Sequence, residues 1–213
     1  MGNKINPIIF RLETVKDSPE WLSSWYAGKK KYSGLLLEDK KIRDFIQKKL
    51  YSAGIVLTRI ERSVKKIKII LVVSRPGLVI GRGGKELEML KKDIQKIISK
   101  ESGKQNIDIQ VEEFKLADLS AKLIAEKIAF QLTKRMPYRR VVLSSMEKTM
   151  AAGAKGIKIV LGGRINGAEI SRREKFSQGK VPLSTIKSKI DYAECPSLTR
   201  SGYIGVKVYL CLN

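Results

Sequence analysis

The run Ile67-Lys68-Ile69-Ile70-Leu71-Val72-Val73, followed by Ser74-Arg75-Pro76-Gly77-Leu78 and then Val79-Ile80-Gly81-Arg82-Gly83-Gly84-Lys85-Glu86-Leu87, decides the fold. The first seven residues read as a buried strand, and the Pro76 to Ile80 segment as a short turn of helix. Beyond the glycines, Leu87, Leu90, Ile94, Ile97 and Ile98 recur at i, i+3, i+7, i+10 and i+11, one face of an amphipathic helix. A strand therefore feeds a glycine loop that opens a long helix. Gly81, Gly83 and Gly84 let a backbone come close, and Arg82 and Lys85 put positive charge beside the free amides of a helix N-terminus. The guest this favours is an anion with a backbone of its own.

Spacing removes two nucleotide-binding readings. A Walker loop needs glycine five residues before Gly84, where Val79 stands, and Ser or Thr after Lys85, where Glu86 stands. A dinucleotide fingerprint needs a third glycine three residues after Gly83, and that position is again Glu86. What remains resembles the (V/I)-I-G-x-x-G-x-x-(I/L) heart of a KH domain, a family whose GXXG loop clamps the backbone of about four nucleotides. A plain strand-to-helix connection is the competing reading. The apolar pair Val79-Ile80, the amphipathic helix and the flanking strand patterns favour RNA.

Composition points the same way. The 213 residues are 43% hydrophobic, enough for one or two cores, and two is the expectation. A formal charge of +22, from 43 Lys and Arg against 21 Asp and Glu, exceeds what solubility needs and implies a polyanion, nucleic acid ahead of an anionic membrane. No apolar run approaches the roughly 20 residues that span a bilayer. No apolar signal region follows the start, and the myristoylation pattern lacks its Ser or Thr at Asn6. Cys195 and Cys211 stand alone without metal-ligand spacing, so a reduced compartment and no zinc are expected. There is no histidine, and no carboxylate or nucleophile constellation is visible, so no catalytic residue, metal or cofactor is assigned.

Along the chain, residues 1–37 read as an arm carrying one short helix near Pro19 to Ala27. Its Trp21, Trp25 and Tyr26 are expected to pack on the body, with base stacking the alternative. A helix from Asp39 to Ala53 closed by Gly54, strands at Ile55 to Glu61 and from Ile67, the glycine loop, its helix and a strand at Ile107 to Val111 complete residues 38–116. That order matches a type II KH domain, with helices on a mixed three-stranded sheet. Leu116, Leu119, Leu123, Ile128 and Leu132 mark a connecting helix over 117–136, ended by Pro137. Residues 137–213 read as a second, α+β domain: a helix with Val142, Met146 and Met150 inward, then strands at Ile157 to Leu161, Ile186 to Tyr192 and Ile204 to Leu212. Charge is high here too, with 14 Lys and Arg against 5 acidic residues between Arg135 and Arg200. The overall expectation is an α+β chain of two domains with neither repeats nor low-complexity segments.

Further segments extend the resemblance to the whole chain. Met1-Gly2-Asn3-Lys4-Ile5-Asn6-Pro7 with Phe10-Arg11-Leu12, Gly153-Ala154-Lys155-Gly156-Ile157-Lys158, Gly163-Arg164-Ile165-Asn166-Gly167-Ala168-Glu169-Ile170, Val181-Pro182-Leu183, Ile190-Asp191-Tyr192 and Gly202 to Val208 occur in the order of the bacterial-type small-subunit ribosomal protein S-three family. The resemblance implies a structural, non-enzymatic component of the small-subunit head in a cytoplasmic ribosome, an organellar ribosome being the alternative. Its implied partners are small-subunit ribosomal RNA, messenger RNA where the message enters the subunit, head proteins ten and fourteen, and channel proteins four and five. Family-type contacts fall on Gly81, Arg82, Gly83, Gly84 and Lys85 of the loop, on Arg135, and on Arg139 and Arg140, which in the family meet the message. A family-like row would carry a third cation one turn later; Leu143 stands there, expected to pack inward, with Ser144 beside it. Arg164, Arg172, Arg173 and Lys175 read as a phosphate-tracking cluster near a turn, since an arginine fork holds phosphate through two hydrogen bonds. Two other classes remain open, a free KH regulator of transcripts and an RNA-processing enzyme.

Overall fold

The computed structural model describes residues 5–12, 21–63, 66–98 and 106–212. They form two compact units, one within residues 21–115 and one of residues 116–212 together with residues 5–12.

In the first unit, β1 (Ser23–Ser24), α1 (Lys29–Lys49), β2 (Ile55–Arg62), β3 (Lys66–Val73), α2 (Pro76–Ile80), α3 (Lys85–Ile98) and β4 (Asn106–Glu113) follow in order. The sheet runs β1-β2-β3-β4. β2 and β3 are antiparallel while β4 runs parallel to β3, so the expected mixed sheet forms, with the two-residue β1 added parallel to β2 at its edge. Ile67, Ile69, Leu71 and Val73 of β3 meet Ile42 and Ile46 of α1 and Leu90, Ile94 and Ile98 of α3 in one core, the face that the helical periodicity marks.

The entering segment corrects the sequence reading. Pro19 and Glu20 lie outside the described residues, but 21–28 is extended rather than helical. The Ser23 hydroxyl (3.0 Å) and the Trp25 indole (2.8 Å) donate to Asp39 Oδ2, and the Ile60 amide donates to Leu22 O (2.9 Å). Those bonds hold the chain as a strand. Trp25 packs on Tyr32, whereas Trp21 and Tyr26 are exposed rather than packed. α1 also begins ten residues before Asp39, capped by Gly28 in extended backbone.

In the second unit α4 (Ala121–Thr133), α5 (Tyr138–Ala151), β5 (Gly156–Gly163), β6 (Arg172–Gly179), β7 (Ile190–Thr199) and β8 (Gly202–Cys211) build helices on an antiparallel sheet of order β6-β5-β8-β7. Ile157, Ile159 and Leu161 of β5 and Ile204, Val206, Val208 and Leu210 of β8 face Ile124, Ile128 and Leu132 of α4 and Val142 and Met146 of α5. The 117–136 helix, read from sequence as a connector, thus belongs to this core. β7 begins at Ile190 and continues to Thr199, past the expected Ile186 to Tyr192, and β6 is a strand where the sequence reading assigned no element.

Residues 5–12 join this unit through a buried arginine. Arg11, 3% exposed, donates to Pro7 O (3.0 Å), Pro182 O (3.2 Å), Leu183 O (2.8 Å) and Thr185 O (3.0 Å). The Asn-Pro and Phe-Arg-Leu segments and the distant Val-Pro-Leu segment are therefore two sides of one contact.

Candidate nucleic-acid interface

The loop between α2 and α3 takes a shape that glycine permits. Gly81 has φ +70° and ψ −179°, a region essentially closed to other residues, and a Cβ there would stand 2.7 Å from Glu86 Cγ. Gly83 sits at φ +64° with nothing within 4 Å of its Cβ position, so the loop is open on its outer side. Arg82 and Lys85 are exposed. The loop thus joins two exposed cations to the first turn of α3, whose amides a helix leaves without an internal acceptor, beside a surface that a strand can approach. Glu86 and Glu88 in that turn are the opposing charges.

In the second unit α5 starts from Pro137 and presents Arg139 and Arg140 on its exposed side. Arg139 is propped: its Nε donates to the Tyr138 hydroxyl (3.1 Å) and its guanidinium lies 5.7 Å from that ring's centre, while the hydroxyl donates to Glu174 Oε1 (3.2 Å). Val141 and Val142 are buried beneath the pair. Leu143 corrects the expectation that it packs inward, because its side chain is 51% exposed, one turn from the arginines. A helix turns about 100° per residue, so burying Val142 and Met146 carries Leu143 outward with Arg139.

The other basic residues divide between places. On β6, Phe176 faces the core and Glu174 is half-buried, so by strand alternation Arg172 shares their face and Arg173 and Lys175 point the other way. Arg172 Nε pairs with Glu174 Oε1 at 3.1 Å. The four-residue cluster read from sequence is thus spread over both faces of an edge strand, apart from Arg164. Arg164 instead lies with Arg135 around a pocket of about 270 Å³. Sequence reading missed two further polar residues of the pocket, Arg200 and Asn166, since Arg200 comes from the β7–β8 turn and joins the others only through the fold. The pocket floor is Leu132, Leu161, Ile165 and Ile204.

Among the described residues no group of three or more His, Cys, Asp or Glu side chains comes together as a metal site, and no helix is long and apolar enough to cross a membrane. The two cysteines are free.

Residues 41–119 match the KH domain family and residues 128–210 match the family described as ribosomal protein S3, C-terminal domain. Among curated proteins, the small ribosomal subunit protein uS3 of Desulforudis audaxviator is 46% identical over 210 residues, covering 99% of this chain and 93% of that one. The uS3 proteins of Desulforamulus reducens and Rhodopirellula baltica are each 44% identical, again over 99% of this chain and over 91% and 88% of theirs. With the KH loop in one unit, the matching second domain in the other and relatives aligned along nearly its whole length, this chain belongs to the uS3 family of small ribosomal subunit proteins.

Proposed function

We propose that the protein is a structural component of the small-subunit head in a cytoplasmic ribosome, where it binds small-subunit ribosomal RNA and meets messenger RNA at the channel through which the message enters. The neighbours this reading assigns are head proteins ten and fourteen and channel proteins four and five. The partition into an arm over 1–37, a KH domain over 38–116, a connecting segment over 117–136 and a C-terminal domain from 137 is kept as a functional proposal, with the connecting segment structurally part of the second unit's core. RNA contact is assigned to Gly81 through Lys85, to Arg135, Arg139, Arg140 and Arg164, and to Arg172, Arg173 and Lys175.

The observation that carries message contact is the exposed Arg139–Arg140 pair at the start of α5. Arg139 is held in place by Tyr138, so one phosphate partner is preorganised while Arg140 adapts. Leu143 leaves the third place of a cationic row unfilled, which predicts guidance of a single strand with reduced help in opening duplexes. The test is translation by ribosomes reconstituted with Arg139→Glu and Arg140→Glu on unstructured and hairpin-bearing messages, alongside Leu143→Lys. The double variant is expected to stall selectively on hairpins and Leu143→Lys to relieve them. Equal translation of hairpins by parent and double variant would overturn message contact. Co-sedimentation with small subunits through a salt wash separates this role from that of a free KH regulator, which would wash off.

A further inference from the structure

Two non-glycine residues among those described have positive φ, Arg135 at +60° and Asn166 at +58°, and both line the pocket at the end of β5 and β8. They arrive from different elements. Arg135 follows α4 in the left-handed position that helix ends usually give to glycine, its amide donating to Leu132 O (2.9 Å) and the Met136 amide to Gln131 O (3.2 Å). Asn166 sits in the turn after β5. Strained backbone gathers where surrounding structure imposes it for a purpose, and here it brings a guanidinium and an amide to one rim.

Arg164 and Arg200 complete that rim, and among the described residues no carboxylate lines the pocket. Arg164 is oriented by its Nε donating to Ala168 O (2.8 Å), leaving the outer edge of its fork for a ligand. Below the three cations, Leu132, Leu161, Ile165 and Ile204 are buried and close the floor from beneath, and the apolar surface left open to a ligand is that of Met136, which is exposed, and of the half-buried Tyr138 ring. An apolar floor suits the face of a flat ring, guanidinium forks suit phosphate, and an amide pairs with a base edge. At about 270 Å³ the pocket lies at the small end of ligand sites, which start at roughly 300 Å³, so it suits one nucleotide rather than a stack of them.

We infer that this pocket is a subsite for a single unstacked nucleotide of an RNA strand, its base against Met136 and Tyr138 above the buried Leu132–Leu161–Ile165–Ile204 floor and beside Asn166, its phosphates on Arg135, Arg164 and Arg200. The inference rests on the RNA-binding reading above and adds to it a base-sized site in the second unit. A strand source rather than a free nucleotide follows from three separated cations, more than one terminal phosphate needs.

The full chain, methyl-labelled at isoleucine and leucine, is titrated with a uridine trinucleotide, uridine 5′-monophosphate, uridine and inorganic phosphate while the methyl spectrum is followed. The Leu132, Ile165 and Ile204 methyls are expected to move with the trinucleotide, and less with the monophosphate. Arg135→Gln with Arg200→Gln should weaken the trinucleotide by roughly tenfold or more, the scale of charge-assisted hydrogen bonds, at unchanged spectral dispersion. With trinucleotides of each of the four bases titrated in turn, Asn166→Gly, unstrained at this φ, should change their ranking without abolishing binding. Identical responses to inorganic phosphate would reduce the site to an anion spot, and equal responses to uridine would leave only apolar binding. A monophosphate binding more tightly than the trinucleotide would refute the strand source. Salt-sensitive binding of a longer single strand is measured in parallel. If it persists while these methyls stay still, the pocket alone falls, and if it is absent too, the RNA reading falls with it.

Discussion

Replacing Arg62 with Met tests what holds the loop-bearing unit together. From β2 the Arg62 side chain, 5% exposed, sends Nε (2.8 Å) and Nη2 (2.5 Å) to Asp39 Oδ1 and Nη1 (2.8 Å) to Glu38 Oε2. Both carboxylates lie on α1, with side chains 2% and 0% exposed. Breaking a buried pair from one side costs about 3–5 kcal/mol, because the remaining charge loses its partner without regaining water. Here one cation serves two carboxylates, which argues for the upper end. Asp39 keeps its bonds from Ser23 and Trp25, which argues against it. About 4 kcal/mol is the net expectation, or roughly a thousandfold in the unfolding equilibrium. Arg62→Met with Glu38→Leu and Asp39→Asn should recover most of it, since the amide oxygen still accepts from Ser23 and Trp25 and both carboxylates that faced Arg62 are gone. The assay is urea unfolding followed by tryptophan fluorescence. Trp21 and Trp25 are the chain's two tryptophans and both lie in this unit, so the signal reports it alone. A loss below about 1 kcal/mol for Arg62→Met, or a triple variant as unstable as the single one, would mean that the carboxylates reach water in solution and that the burial argument is wrong.

Burial holds the Asp191 carboxyl above the usual aspartate range, against the lowering effect of the Ala121 and Tyr192 amides. The folded state therefore binds this proton more tightly than the unfolded one, so stability should fall as pH rises above about 4 until the folded group has also ionised; Asp191→Asn should flatten that slope in pH-dependent urea melts while its oxygen still accepts from Ala121. Arg82→Asp with Gly83→Asp should lower single-strand affinity roughly 10- to 100-fold in filter binding with about 1 kcal/mol or less of destabilisation, because Asp tolerates the left-handed conformation; Gly81→Ala should instead cost about 1–3 kcal/mol in a thermal melt. The logarithm of affinity for single-stranded RNA should fall against log salt with a slope of about −0.7 per phosphate engaged, and removing a phosphate-contacting arginine should reduce that slope by one such step.

Sequence was most informative where local pattern and core coincide. β3, the glycine loop and α3 were legible because Ile67 through Val73 and Leu87 through Ile98 carry the periods of the elements they form. β6 was not legible, because Arg-Arg-Glu-Lys-Phe-Ser-Gln-Gly has one large apolar residue and an edge strand needs no alternation beyond Phe176. The extended 21–28 segment depends on Asp39, a residue that local periodicity around Trp21 and Trp25 does not include. For the site, charge and glycine spacing pointed to the loop and the α5 arginines. The pocket was hidden because its rim combines a helix end, the turn after β5 and a hairpin turn, joined by tertiary structure alone.

Several carboxylates are engaged within the fold. Glu38 and Asp39 are buried around Arg62, Asp191 caps the start of α4, and Glu174 is bound to Tyr138 and Arg172. The cations assigned to RNA are placed differently: Arg82, Lys85, Arg135, Arg140, Arg164, Arg173 and Lys175 are all exposed. An excess of +22 displayed in this way gives strong, salt-dependent attraction to any nucleic acid, and little discrimination, since phosphates carry no sequence. Discrimination must come from shape. The loop at Gly81 admits a sugar-phosphate backbone at close range, which favours a single strand over a duplex without choosing bases. The pocket under Arg135, Arg164 and Arg200 is where an apolar floor and the Asn166 amide can read a base. Base substitutions should therefore be nearly silent along most of a bound strand and tell at the nucleotide that reaches this pocket, whereas salt should weaken every phosphate contact alike.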